Sequence, residues 1–311
     1  MPRVAIRHRT EYRYAAPVSF GDHRLMTRPR DSHDLRLIEA TLSFSPHATL
    51  RWKHDVFGNS VAVASFAEAA DTLLIESRIV LDHFPREPAD LAAMVEPYAE
   101  TIPFAYAPEE VPDLGRMAER HFPDPDHAVD LWAKKFLSTE GPTRTADLLV
   151  AMTHAIKSDF TYEARDEEGT RPPTETLALS RGACRDFALL MMEACRSLGL
   201  AARFVSGYLY DAALAESDTP VVGGGATHAW VDVYVPGAGW VEFDPTNGLI
   251  GGRNLVRVAV ARQPAQAIPI SGSFIGRPDD FLGLSVEVTV EVGQGGATPP
   301  PAPEPAAVET A

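Results

Sequence analysis

At 311 residues with 45% apolar content, the chain is long enough for two domains and a sizeable core. Its net charge of −15, with no basic-aromatic recognition motif, points away from nucleic-acid binding. No apolar run approaches 18 residues and Met1 to Arg9 lacks the apolar centre of a secretion leader, so no membrane association and a cytoplasmic location are expected.

Residues 1–85 are dominated by short alternating runs, such as Val4-Ala5-Ile6, Ala40 to Phe44, Ser60 to Ala64 and Leu73-Leu74-Ile75. Asp22, Pro29, Pro46 and Gly58-Asn59 punctuate them. This predicts a β-rich, sandwich-like N-terminal domain. Over residues 1–55 basic residues outnumber acidic ones, which suggests docking on an acidic neighbour or, through Arg24, Arg28 and Arg30, recognition of an anion. Residues 86–125 are rich in proline, which excludes long helices except around Leu114 to Arg120. They read as a connecting segment on the surface.

A second domain is expected over 126–292. Helical periodicity covers Asp126 to Leu137 and Thr145 to Lys157, where Leu149, Met152 and Ile156 share a face, and then Cys184 to Leu198, closed by Gly199. Strands follow at Ala202 to Leu209, His228 to Val235, Gly239 to Phe243 and Leu284 to Val292. Helices first and sheet second make this region α+β. Residues 293–311, rich in Gly, Pro and Ala, read as a disordered tail.

The chemistry centres on Cys184, where the turn Ser180-Arg181-Gly182-Ala183 gives way to helix. The partial positive charge and free amides of a helix start favour thiolate over thiol. Cys195 lies roughly 16 Å along the same helix, too far for a disulfide, and reads as a small buried apolar residue. Asp186 reads as a helix-start residue that suits the dipole.

His228 and Asp244 lie on consecutive predicted strands joined by Pro236-Gly237-Ala238-Gly239. Burying Val231, Val233 and Val235 with Val241 and Phe243 places His228, Trp230, Asp232, Tyr234, Trp240, Glu242 and Asp244 on the other face. The solution needs an odd connection, such as Val235 opposite Gly239, which makes His228 a diagonal neighbour of Asp244. Trp230 and Trp240 would then wall a dry pocket, with Tyr208 and Tyr210 on the preceding strand as further substrate contacts. The loop 211–227, carrying Gly223-Gly224-Gly225, is a lid candidate.

A cysteine at a helix start, a histidine on a strand and an aspartate on the next form a nucleophile, base and orienter set. The texts Gly182-Ala183-Cys184-Arg185-Asp186-Phe187-Ala188, Thr227-His228-Ala229-Trp230-Val231 and Trp240-Val241-Glu242-Phe243-Asp244-Pro245-Thr246 resemble, in that order, the transglutaminase-like superfamily. Thr10 to Tyr14, Arg24 to Arg30 and Asp55 to Asn59 are similar to the N-terminal region of its two-part bacterial members. The resemblance implies a papain-like core and assigns Cys184 as nucleophile, His228 as general acid and base, and Asp244 as orienter.

It further implies acyl transfer from a peptide or protein amide through a thioester, with no cofactor or metal. Hydrolysis is the favoured outcome, with transfer to an amine, as in a protein-glutamine transglutaminase, or a non-catalytic binding role on the same fold as alternatives. A metal hydrolase is disfavoured because no HExxH or CxxC occurs, and a calcium-dependent crosslinker because no EF-hand-type loop does.

Overall fold

The computed structural model describes residues 2–84, 91–165, 167–210 and 227–294. The N-terminal region forms β1 (Pro2–Phe20), β2 (His23–Leu25), β3 (Leu35–Ser45), β4 (Ala48–His54), β5 (Ser60–Phe66) and β6 (Ala70–His83). β1, β6 and β3 run side by side in one antiparallel sheet, and β2, β5 and β4 in a second. The period-2 pattern decides what lies between them: in β6, Leu73, Ile75, Ser77, Ile79 and Leu81 all point inward. Leu73 and Ile75 meet Tyr14, Val18, Leu25, Leu50, Ala62 and Ala64 in a common core, the expected sandwich.

The connecting segment holds a short helix, α1 (Val111–Ala118), three residues earlier than its proline spacing suggested. The segment is tied to the core rather than merely laid on it. The Tyr106 hydroxyl donates to the carbonyl of Tyr234 (3.1 Å) and accepts from the amide of Ala201 (2.8 Å).

Four helices follow: α2 (Ala128–Lys134), α3 (Thr145–Asp159), α4 (Pro173–Leu179) and α5 (Cys184–Ser197). On α3, Leu149, Met152 and Ile156 are fully buried, as the periodicity requires. Every residue of α5 from Asp186 to Arg196 is buried, so this helix runs through the middle of its domain rather than along a surface. Two of its buried charges satisfy each other: Arg196 donates to Glu193 (2.9 Å) and also to the carbonyls of Ala202, Met117 and Arg262. Gly199 then takes φ +82°, the left-handed step that ends the helix.

α5 packs against a sheet built from β7 (Ala202–Leu209), β8 (His228–Val235), β9 (Gly239–Asp244) and β10 (Leu255–Ala261), in the order β9, β8, β7, β10, with Leu249–Ile250 flanking β9. The β8–β9 register is Val235↔Gly239 through Val231↔Phe243, the odd connection that the alternation demanded. Val231, Val233, Val235 and Phe243 face α5 in one core.

The late strand is not part of this domain. β11 (Phe281–Gln294) pairs antiparallel with β1 from Pro2↔Gln294 to Arg13↔Gly283, while Ile270–Ser271 pairs with β2 and Phe274–Ile275 with the end of β1. The expected reach of the second domain to residue 292 is therefore corrected: the chain returns to complete the N-terminal sheets, and the second sheet ends at Ala261. Alternation announces a strand but not its partner. The tail expected from 293 lies outside the described residues beyond Gln294.

Val4, Ile6, Leu35, Ile79 and Leu81 of the sandwich pack on Tyr208, Tyr210, Val256 and Val258 of the second sheet. Asn59 clamps the seam, accepting from the amide of Val260 (2.9 Å) and donating to its carbonyl (2.7 Å). Among the described residues the ion pairs of the basic N-terminal side chains stay within the sandwich, Arg3 with Asp82, Arg7 with Glu76 and Arg24 with Asp55, and the ion pair that crosses to the neighbouring domain runs the other way, from Arg257 to Asp34 (3.5 Å). Arg28 lies over the Trp52 ring.

Two buried histidines also cross the seam. His8 Nδ1 meets the Tyr208 hydroxyl at 3.0 Å, and His83 Nδ1 meets that of Tyr210 at 2.6 Å. Because Tyr210 donates to the carbonyl of Arg253 (3.0 Å), His83 donates to Tyr210. Burial pushes both imidazoles down to about 4, so both are neutral at pH 7. Their folded pKa lies below the unfolded value, so the stability they confer is complete above pH 6.5 and is lost as pH falls toward 4, at about 1.4 kcal/mol per pH unit per group. Urea denaturation at pH 7 and pH 4.5 should show a steeper acid loss for the wild type than for a His8→Gln, His83→Gln double variant. Equal slopes would remove these histidines as the cause.

Candidate active site

The start of α5 is set by Gly182, which forms a parallel bridge with Tyr162. A Cβ at Gly182 would lie 2.9 Å from the Asp186 Cβ, so only glycine lets the first turn fold back this closely. Ala183 is the extended N-cap, and its carbonyl accepts from the amides of Asp186 (2.9 Å) and Phe187 (3.1 Å). The Cys184 amide has no hydrogen-bond partner among the described residues. It points out of the positive end of a buried helix, carrying with it a thiol that is 8% exposed.

Asp186 does more than suit the dipole. Fully buried, its carboxylate accepts from the Ala183 amide (2.9 Å), the Arg171 amide (2.8 Å) and Arg165 Nη1 (2.9 and 2.7 Å). Arg185 donates to the carbonyls of Gly169, Glu167 and Arg165. The chain before α4 is thereby fastened to the first turn of α5, and the negative charge nearest Cys184 is matched by a guanidinium.

His228 opens β8 and Asp244 closes β9, and in the observed register Nε2 and Oδ2 are 2.8 Å apart, with both residues buried. The carboxylate is anchored from behind: Oδ1 accepts the Thr246 amide (2.9 Å), and Oδ2 accepts Asn247 Nδ2 (2.8 Å). The sequence reading passed over Asn247. The Asp-Pro-Thr-Asn text carries the signal, since an aspartate before a turn caps its own following amides.

Burial alone would push the Asp244 pKa up. The charge and hydrogen bond of His228, with the bonds from Asn247 and Thr246, reverse this and hold it below the usual carboxylate range. Burial likewise opposes the imidazolium of His228, but the charge and hydrogen bond of Asp244 outweigh it, the Cys184 side chain adds to them, and the pKa is raised. With Nε2 committed to Asp244, the buried Nδ1 is the nitrogen left for sulfur. Cys184, His228 and Asp244 are thus drawn into one chain of influence. Cys195, fully buried, has its thiol pushed up to about 12 by desolvation and is chemically silent.

The other site candidates are placed differently. Tyr208 is 2% exposed, bonded to His8 at the domain seam, and offers nothing to a substrate; Tyr210 is buried there too. Trp230 is fully buried among Val205, Leu209, Leu255 and Val260, with its ring stacked on that of His228 at 6.2 Å. It backs the imidazole instead of lining a pocket. Gly207 makes room for it, since a Cβ there would sit 2.7 Å from the indole. Trp240 lies toward the hairpin turn, against Tyr234 and beneath the Arg203 guanidinium (4.1 Å), so the two tryptophans share no pocket. Alternation put them on one face correctly, but that face is covered by the sandwich. Of the lid candidate, residues 211–226 lie outside the described residues.

Residues 4–82 match the bacterial transglutaminase-like N-terminal region, and residues 132–245, which contain Cys184, His228 and Asp244, match the transglutaminase-like superfamily. An uncharacterized protein of Mycobacterium tuberculosis H37Rv is 28% identical over 306 residues, covering 93% of this chain and 92% of its own length. One from Mycobacterium leprae is 27% identical over 303 residues, covering 93% and 99%. The solved structure of a candidate cysteine protease from Cytophaga hutchinsonii superposes with a TM-score of 0.68 at 18% identity, covering 96% of this chain and 93% of its own, and so has the same fold.

Proposed function

Because this chain belongs to the transglutaminase-like superfamily, with the bacterial N-terminal region in front of the core, we propose that it is a thiol-dependent acyl-transfer enzyme that hydrolyses a peptide or amide bond through a thioester. The observation that carries this reading is the buried His228–Asp244 pair at 2.8 Å, with Cys184 at the helix start bearing on the same ring.

In the proposed reaction the Cys184 thiolate, paired with the His228 imidazolium, attacks the amide carbonyl carbon. The oxyanion is met by the free amide of Cys184. The tetrahedral intermediate collapses as Nδ1 of His228 gives its proton to the departing amine, leaving an acyl-sulfur bond and a neutral imidazole. Nδ1 then takes a proton from water, whose hydroxide attacks the thioester, and the carboxylic acid leaves as the thiolate is restored. Asp244 keeps Nε2–H occupied throughout and stabilises the ring's charge each time it forms.

The test uses p-nitrophenyl acetate as acyl donor, with and without a primary alkylamine. Release of acetate in both conditions, with an acetyl adduct trapped on Cys184 by mass spectrometry, supports hydrolysis. A product that is chiefly N-alkylacetamide assigns transfer instead, and the absence of any Cys184 adduct overturns the reading.

A further inference from the structure

The free amide of Cys184 is one donor to a developing oxyanion, and a second is available from the chain that bridges Gly182. Resting on the acyl-transfer reading, we propose that Tyr162 is a further catalytic residue whose hydroxyl donates the second hydrogen bond to the tetrahedral oxyanion.

The placement follows from the bridge. Tyr162 and Gly182 are direct partners in a parallel ladder, fixed on either side by Thr161 N–H to Ser180 O and Glu163 N–H to Gly182 O, both 2.9 Å. Residues paired in a ladder send their side chains to the same side. The direction at Gly182 is known, because a Cβ there would meet Asp186 and Phe187 in the first turn of α5. The Tyr162 side chain therefore leaves its strand toward the turn that begins with Cys184. It is half-buried and packs against the core cluster that contains Cys184 and Phe187.

The two arginines of this neighbourhood are already used. Arg185 is spent on the carbonyls of Arg165, Glu167 and Gly169, and Arg165 on Asp186. The Tyr162 hydroxyl, by contrast, has no hydrogen-bond partner among the described residues. Burial first, and the nearby Cys184 charge second, raise its pKa, with Arg185 opposing, so the phenol keeps its proton and acts as a donor. No bond to oxygen forms or breaks at Tyr162: its O–H shortens its contact with the oxyanion and relaxes when the carbonyl re-forms.

Two reactions of the same sulfur separate this role from a structural one. Acylation by p-nitrophenyl acetate passes through an oxyanion, whereas alkylation by iodoacetamide displaces iodide at carbon and does not. The ratio of the two rates at Cys184, followed by peptide mass, is insensitive to the fraction of folded protein. For Tyr162→Phe the ratio should fall on the order of 10²-fold, the usual loss for one oxyanion donor. An unchanged ratio, whether both rates hold or both drop together, overturns the assignment while leaving the acyl-transfer reading in place. A wild-type protein that is alkylated but never acylated sinks that reading and this inference with it.

Discussion

Replacing Cys184 by alanine should abolish acylation by p-nitrophenyl acetate, a loss on the order of 10⁶-fold in a triad enzyme, and should leave the fold intact. The side chain is 8% exposed and sits at the edge of the core, and alanine keeps its Cβ. The free amide at the start of α5 belongs to the backbone and survives the change. Cys184→Ser is the sharper control, since it preserves shape and hydrogen bonding but offers an alcohol that this imidazole has no means of ionising to the same degree. Cys195→Ser supplies the internal comparison. Its thiol is fully buried and held protonated, so acylation should be unaffected. Acylation that persists in Cys184→Ala would move the chemistry elsewhere in the molecule.

Asp244→Ala should cost about 10⁴-fold in acylation, the scale seen when an orienting carboxylate is lost. The physical cause is the reversal of a balance. At His228 burial works against the imidazolium, and it is the charge and hydrogen bond of Asp244 that win. Without them only desolvation and the weaker influence of Cys184 remain, so the pKa falls and the thiolate loses its counter-charge near neutrality. The sign is testable on sulfur alone. Wild-type alkylation by iodoacetamide should be fast and nearly flat from neutral into mildly alkaline pH, because the raised imidazolium persists there. In Asp244→Ala alkylation should be slow at pH 7 and climb with pH as an unassisted thiol ionises. Asp244→Asn, which keeps a hydrogen-bonding partner but no charge and favours the wrong imidazole tautomer, should show the same climb with a comparable loss of acylation. A profile for Asp244→Ala that stays flat would show that this carboxylate does not set the charge state of the pair.

Much of the site was legible before any fold was known. The hairpin is the best case: Val231, Val233 and Val235 must share a face with Val241 and Phe243, and this parity forces the odd connection and brings Asp244 to His228. The helix that begins at Cys184 was equally plain, bounded by Gly182 and Gly199 for backbone reasons that leave little choice. What misled was the assumption that a strand's polar-looking face opens to solvent. Tyr208 lies under the sandwich with Val4, Ile6 and Leu35, and Trp230, on the opposite face, is enclosed by Val205, Leu209, Leu255 and Val260, so both are buried supports. No residue of β7 or β8 announces that a neighbouring domain will cover it.

The same distinction runs through the whole chain. Local spacing determined the helix that begins at Cys184, the register of the His228–Asp244 hairpin and the sandwich-like start, because period, glycine placement and connection length act within a few residues. Only the tertiary structure decided that β11 returns to pair with β1, that Asp186 grips Arg165, and that Tyr162 lies beside the bridge leading to Cys184. Those contacts join segments far apart in sequence. Their partners are selected by burial and hydrogen-bond satisfaction across the folded molecule, and no local pattern encodes that choice.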